Sequence, residues 1–234
     1  MNNYGFYLTR LLLEGTDQKT AEVIFTKGLN VIYGASDTGK TYIYQCINYL
    51  LGSSSIPKNI PEARNYTSCT LEIKSYKGEI FNLKRNLNGG NIKLTRNNQN
   101  SNEVLIAANN QKNGKTISDF LLILCNIQNK EIRKNTRGET RKLYFQNLKK
   151  YFLVDEERII TQKSPIVTEQ YTEKTFDENT FKFLLSGIDD ANVTKALTKD
   201  EITNKRGKVE LYNELIRSIQ LELSEANYEE VNAQ

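Results

Sequence analysis

The chain has 234 residues, of which 38% are hydrophobic and 26% charged, and its net charge is +4. That length suffices for one sizeable core, or for one domain plus an appendage, and no run of 18 apolar residues offers a membrane span. Histidine is absent, which excludes His-ligated zinc and Ser-His or Cys-His catalysis.

Cys46, Cys69 and Cys125 are few, odd in number and widely spaced, which fits a reducing compartment better than a disulfide framework. The first residues, Met1-Asn2-Asn3-Tyr4-Gly5, lack the basic and apolar regions of a secretory signal. A cytoplasmic protein without a membrane partner is expected.

In chain order, residues 4–13 read as a first strand and Ala21 to Phe25 as a second, paired across a turn near Gly15-Thr16-Asp17. Gly28-Leu29-Asn30-Val31-Ile32-Tyr33 is a short apolar, β-branched run that reads as a buried strand. It leads into Gly34-Ala35-Ser36-Asp37-Thr38-Gly39-Lys40-Thr41, which matches G-x-x-x-x-G-K-[ST], the Walker A phosphate loop. Glycine lets backbone wrap closely around an oxyanion. The loop N–H groups and the positive end of the next helix dipole then attract phosphate. Lys40 is expected on the β- and γ-phosphates, and the Thr41 hydroxyl on Mg²⁺. Thr41 to Leu51 carries Ile43, Cys46, Ile47, Leu50 and Leu51 at helical spacing, and Gly52 stops it. ATP and Mg²⁺ are the expected ligands.

A polar break with Pro57 and Pro61 follows. Thr70 to Tyr76, Glu79 to Arg85 and Asn91 to Thr95 alternate apolar and polar residues and form an expected antiparallel meander, turned at Lys77-Gly78 and Asn88-Gly89-Gly90. Asn97 to Gly114 is rich in Asn and Gln and is expected to loop out in part. Ile117 to Ile127 reads as a helix with Ser118 at its N-cap. Residues 130–150 hold Lys130, Arg133, Lys134, Arg137, Arg141, Lys142, Lys149 and Lys150 against only Glu131 and Glu139. That excess suits either a nucleic-acid contact or a solvated face.

Tyr151 to Val154 reads as a strand that Arg158 to Thr161 continues, and Asp177 to Leu185 as a helix ending at Gly187. Tyr151-Phe152-Leu153-Val154-Asp155-Glu156 also fits a Walker B pattern. On that alternative Asp155 binds Mg²⁺ and Glu156 polarises water, making a self-contained P-loop NTPase. From about Ala196, residues Ile202, Val209, Tyr212, Ile216, Ile219, Leu223 and Ala226 fall on a heptad a/d seam, with Lys205 at one d position. The tail is either one amphipathic helix docked on the domain or the start of a coiled coil.

A phosphate loop near the N-terminus, a meander, a helical region and a coiled-coil start together resemble the N-terminal half of the ATPase head of SMC-like proteins, the group including RecF, RecN and SbcC. The likeness rests on residues 28–41 and extends to Phe183-Leu184-Leu185-Ser186-Gly187-Ile188-Asp189-Asp190 before the coil. Ser36-Asp37 stands where that group commonly has Asn-Gly. The resemblance implies an α/β P-loop NTPase lobe with an antiparallel β subdomain over 1–195 and a coiled-coil stub over 196–234.

It further implies that a C-terminal lobe of the same head and a second head, in a homodimer, complete hydrolysis, and that the isolated chain is weak or inactive. It implies action on DNA, in repair, recombination or anti-phage defence, with an effector subunit as a further partner. In that group a glutamine contacts Mg²⁺ and the attacking water. Gln162 is the best match, as a catalytic and metal-contacting residue, and Gln170 its rival. A third reading is a coiled-coil scaffold with a vestigial nucleotide site.

Overall fold

The computed structural model describes residues 4–97, 99–107, 114–168, 170–193 and 199–232. Six strands form one antiparallel sheet: β1 (Phe6–Gly15), β2 (Ala21–Ile24), β3 (Tyr66–Ser75), β4 (Ile80–Asn86), β5 (Ile92–Arg96) and β6 (Gln99–Leu105). Their order is β2-β1-β3-β4-β5-β6. β1 and β2 form the expected hairpin, with Leu11 opposite Val23. β3 pairs β1 on one side and β4 on the other, so Cys69, Leu71 and Ile73 are fully enclosed. The alternation of β4 buries Phe81, Leu83 and Arg85 on the same face. The expectation that 97–114 loops out in part is narrowed: residues 99–105 form the edge strand β6 on the free edge of β5, with Ile92 opposite Leu105. Residues 98 and 108–113 of that stretch lie outside the described residues.

Helix α1 (Lys40–Leu50) crosses the sheet and buries Cys46, Ile47, Tyr49 and Leu50. Arg85 fastens its far end. The guanidinium donates to the carbonyls of Tyr49 and Ser53, each at 2.9 Å, and to Gly90 at 2.8 Å. It also stacks on the Tyr49 ring, 3.7 Å from the centroid. The carbonyls left open at a helix C-terminus thus meet a cation, which the helix dipole favours. Gly52 then takes φ +99°, and a Cβ there would stand 2.6 Å from Ile117 Cγ2. Only glycine lets α1 end in this turn against its neighbour.

That neighbour is α2 (Ile117–Leu124). Its cap is Thr116, whose hydroxyl accepts from the Asp119 N–H, not Ser118 as expected. Ser118 is buried and its hydroxyl accepts from the Phe145 N–H instead. A short hairpin follows, β7 (Glu131–Arg133) with β8 (Thr140–Lys142). Next come α3 (Phe145–Lys149), α4 (Glu156–Ile160) and α5 (Lys174–Ser186). α5 ends on Gly187 at φ 71°, the expected stop.

Two strand expectations are corrected. Tyr151–Val154 forms no strand, and Arg158–Ile160 is helical. The Asp155 carboxylate accepts from the Arg158 N–H and caps α4, while Glu156 and Glu157 face the dipole of its first turn. That local pairing competes with extension of the apolar run. Residues 29–33 also lack strand pairing. Leu29 is 90% exposed and Tyr33 89%; a strand needs a neighbour to pair its N–H and C=O groups, and none stands beside this run among the described residues.

The chain divides into two compact units. One comprises Met1–Asn135 and Thr140–Asn192; the other comprises Thr136–Glu139 and Val193–Gln234. The second is dominated by α6 (Lys199–Asn232), a 34-residue helix, which spans roughly 50 Å at 1.5 Å per residue. Its apolar residues Ile202, Val209, Ile216, Ile219 and Leu223 are all exposed. No helix among the described residues is long and apolar enough to cross a membrane.

Candidate nucleotide site

The loop of residues 34–39 turns the chain from β2 toward α1, and its shape depends on three positive backbone angles. Asp37 takes φ 59°, Gly34 φ 158° and Gly39 φ 83°. Gly39 is the N-cap of α1, and no side chain caps that end. The first N–H groups of α1 therefore meet no side-chain acceptor at the cap, and no acidic residue sits in the first turn. That end is left positive and open to an anion.

Lys40 closes the loop. Its Nζ donates to the carbonyls of Gly34 at 3.1 Å and Ala35 at 2.6 Å. Thr38 Oγ1 donates to the same Ala35 carbonyl at 2.8 Å. An ammonium has three N–H donors, so two hold the ring of backbone and one is left for an acceptor in the loop mouth. Ser36, Asp37 and Thr41 are exposed. The donor set (helix N–H groups, one ammonium and the Thr41 hydroxyl) fits a phosphate chain with a cation beside it. Among the described residues no group of three or more His, Cys, Asp or Glu converges as a metal site. A Mg²⁺ ion at Thr41 would therefore take most of its ligands from phosphate and water.

The other predicted residues fall as follows. Gln162 is exposed in the irregular segment after α4, and Gln170 is exposed just before a short 3-10 turn at Tyr171–Glu173. Glu156 is exposed in the first turn of α4. Asp155 is not at the end of a strand, as the Walker B alternative requires, but it does lie against α1. Burial and the Asp155 charge together hold the Tyr44 hydroxyl above its ordinary pKa. Tyr44 is one helical turn beyond Lys40 and Thr41.

Asn48, a turn further on, accepts from Lys149 Nζ. Burial, with Arg158 nearby, lowers the Lys149 pKa. Sequence reading missed this docking of α3 and α4 on the phosphate-loop helix. Its partners lie some hundred residues apart, and no local spacing reports such a pair.

At least four of the eight cations in the basic segment are ion-paired within the fold. Lys130 pairs with Asp189 at 3.0 Å, Lys142 with Asp119 at 3.0 Å, and Lys150 with Asp177. Arg141 grips Glu173 through both terminal nitrogens, at 3.1 and 2.6 Å. The backbone N–H of Arg133, not its guanidinium, donates to Asp190 Oδ2 at 2.9 Å. The acidic partners are distant in sequence, so the run of like charge in 130–150 overstated the free charge.

A glycine loop closed by its own lysine at an uncapped helix N-terminus defines a P-loop nucleotide-binding domain. The family described as AAA domain, AAA_23, matches residues 1–234, and the chain belongs to it, a family of P-loop ATPases of the SMC/RecF-like type. No curated protein matches the chain.

Proposed function

We propose that this chain binds MgATP as the N-terminal part of an SMC-like ATPase head that acts on DNA. The observation that carries the reading is Lys40, drawn back across the loop at the open end of α1. Lys40 and the first N–H groups of α1 would hold the phosphates, and Thr41 and Gln162 the cation. MgATP would supply a phosphoanhydride bond whose γ-phosphoryl group passes favourably to water with ADP as the leaving group; the residues present here would bind and orient it. Hydrolysis needs a carboxylate to position water. The Walker B alternative would use Asp155 for Mg²⁺ and Glu156 for water, but no strand precedes them, Asp155 caps α4 and Glu156 is exposed in its first turn. On the present reading the water-positioning carboxylate comes from a C-terminal lobe and a second head.

The exposed apolar run at 29–33 supports completion by another polypeptide stretch. A neighbouring strand would satisfy its backbone and cover Leu29, Val31 and Tyr33. The exposed seam of α6 supports a partner helix in the same way. The DNA role, in repair or anti-phage defence, and the effector subunit rest on resemblance to SMC-like heads.

The test is equilibrium titration with a fluorescent ATP analogue. Lys40→Ala should weaken binding at least about tenfold, since a charge-assisted hydrogen bond is worth roughly 1.5–3 kcal/mol. Equal affinity for both proteins contradicts the site. For DNA, duplex affinity should fall steeply with salt, and charge reversal at Arg133, Lys134 and Arg137 should lower it. Affinity indifferent to both removes the DNA role from this segment.

A further inference from the structure

A continuous set of polar contacts leads from the flank of α1 to the segment that carries Gln162. Asn48 Oδ1 accepts from Lys149 Nζ. Lys150, the next residue, is held twice. Its carbonyl accepts from Arg158 Nη1 at 3.2 Å, and its ammonium is paired with Asp177. Both partners of Lys150 then grip residues 161–168. Arg158 Nη2 donates to the Pro165 carbonyl at 2.8 Å, and Asp177 Oδ2 accepts from the Thr168 N–H at 2.8 Å.

The segment has no helix or strand of its own, and residues 161–165 are all exposed. Thr161 and Ser164 shape it locally, their hydroxyls accepting from the N–H groups of Lys163, Ile166 and Val167, and the bonds from Arg158 and Asp177 tie it back to the body of the domain. The post they attach to is firm. The Lys150 and Asp177 side chains are only 11% and 7% exposed, and breaking such a buried pair from one side is costly. Arg158 suits the other attachment because one planar guanidinium spans two carbonyls, whereas an ammonium is a single point of charge.

We infer that Arg158 and Asp177 are positioning residues, which hold residues 161–168 so that Gln162 is presented to the magnesium-bound nucleotide. This rests on the reading of residues 34–41 as an ATP site and of Gln162 as its Mg²⁺ contact. Neither Arg158 nor Asp177 touches nucleotide. They act through Gln162, and Lys150 is the pivot that links them to the helix of the phosphate loop.

The experiment uses the full chain with Arg158→Ala, Asp177→Asn, Gln162→Ala and the Arg158→Ala/Gln162→Ala double variant. Three quantities are read: circular dichroism, tryptic cleavage after Lys163, and affinity for a fluorescent ATP analogue in Mg²⁺ and in EDTA. In Arg158→Ala, which loses the bond to the Pro165 carbonyl, cleavage after Lys163 should rise about tenfold, the effect of one lost hydrogen bond on local opening. Asp177→Asn removes the charge paired with Lys150 but keeps an oxygen that can accept from the Thr168 N–H, so its rise should be smaller. Affinity in EDTA should match wild type, because Lys40 and α1 are untouched. The gain in affinity on adding Mg²⁺ should drop to the level of Gln162→Ala, and the double variant should lose nothing more.

Equal losses with and without Mg²⁺, additive losses in the double variant, or unchanged cleavage overturn the inference. Should Asp177→Asn fail to fold, Arg158→Ala decides alone, since Arg158 lies outside the buried pair. A wild-type chain that binds no nucleotide overturns the ATP reading and the role of Gln162. Unchanged cleavage in Arg158→Ala overturns the hold on the segment whether or not nucleotide binds.

Discussion

Lys40 and Arg85 sit at opposite ends of α1 and do opposite things with a cation. Lys40 keeps one donor for a ligand, whereas Arg85 gives its donors to carbonyls of the fold. Burial lowers the Arg85 pKa, yet three carbonyls and the Tyr49 ring hold the charge in place. Arg85→Met should cost about 2–4 kcal/mol, because the carbonyls of Tyr49, Ser53 and Gly90 lose their partner inside the protein. Thermal unfolding reads this, and an unchanged midpoint contradicts the capping role. Lys40→Met should leave the same midpoint nearly unchanged, since the loop is exposed.

The residues of the loop were legible in sequence because phosphate chemistry fixes residue types at fixed spacing. Arg85 was not. In the sequence it is one more charged residue in an alternating strand, and its carbonyl partners lie at the end of a distant helix.

Among the elements, five of the six strands of the sheet were read from sequence, β3, β4 and β5 of them from alternation. β6 escaped because Asn and Gln are poor strand formers, while the free edge of β5 overrides propensity. α4 escaped for the converse reason. The apolar run at 151–154 suggested extension, but Asp155 followed by Glu156 and Glu157 is a helix start, and the cap decided.

Carboxylates also tie the elements together, and this has a pH consequence. Burial raises the pKa of Glu72, but the Thr9 hydroxyl and the Arg10 guanidinium outweigh it and the net shift is downward. Asp119 behaves likewise: burial opposes Thr116 and Lys142, which prevail. A carboxyl whose folded pKa is depressed stabilises fully above its unfolded value, near 4.5 for Glu72 and 3.8 for Asp119. That contribution is lost as pH falls from there through the folded value. Stability should therefore decline below about pH 4.5, and Glu72→Gln should flatten that decline. Denaturation midpoints at pH 3 to 6 measure it, and an acid limb identical in Glu72→Gln contradicts the assignment.

At the scale of the whole molecule, two apolar stretches are exposed among the described residues and suit a covering partner. Residues 29–33 and the seam of α6 are apolar at spacings that suit a strand and a coiled coil. The sequence showed both patterns, but a pattern states what an element can bury and not whether the same chain buries it. Backbone amides at 29–33 should exchange with solvent rapidly in this chain alone. They should gain protection when the C-terminal lobe of the head is added. Protection in the isolated chain, or none in the complex, contradicts completion by a second lobe.

Nucleotide binding by this chain depends on whether the loop at 34–41 grips phosphate. Amide resonances of the chain, followed by nuclear magnetic resonance during titration with MgATP, address this directly. The largest shifts are expected at Gly39, Lys40 and Thr41, saturating with the same affinity, and absent in Lys40→Ala. Saturable binding that leaves those three amides unmoved, or shifts that persist undiminished in Lys40→Ala, would contradict it.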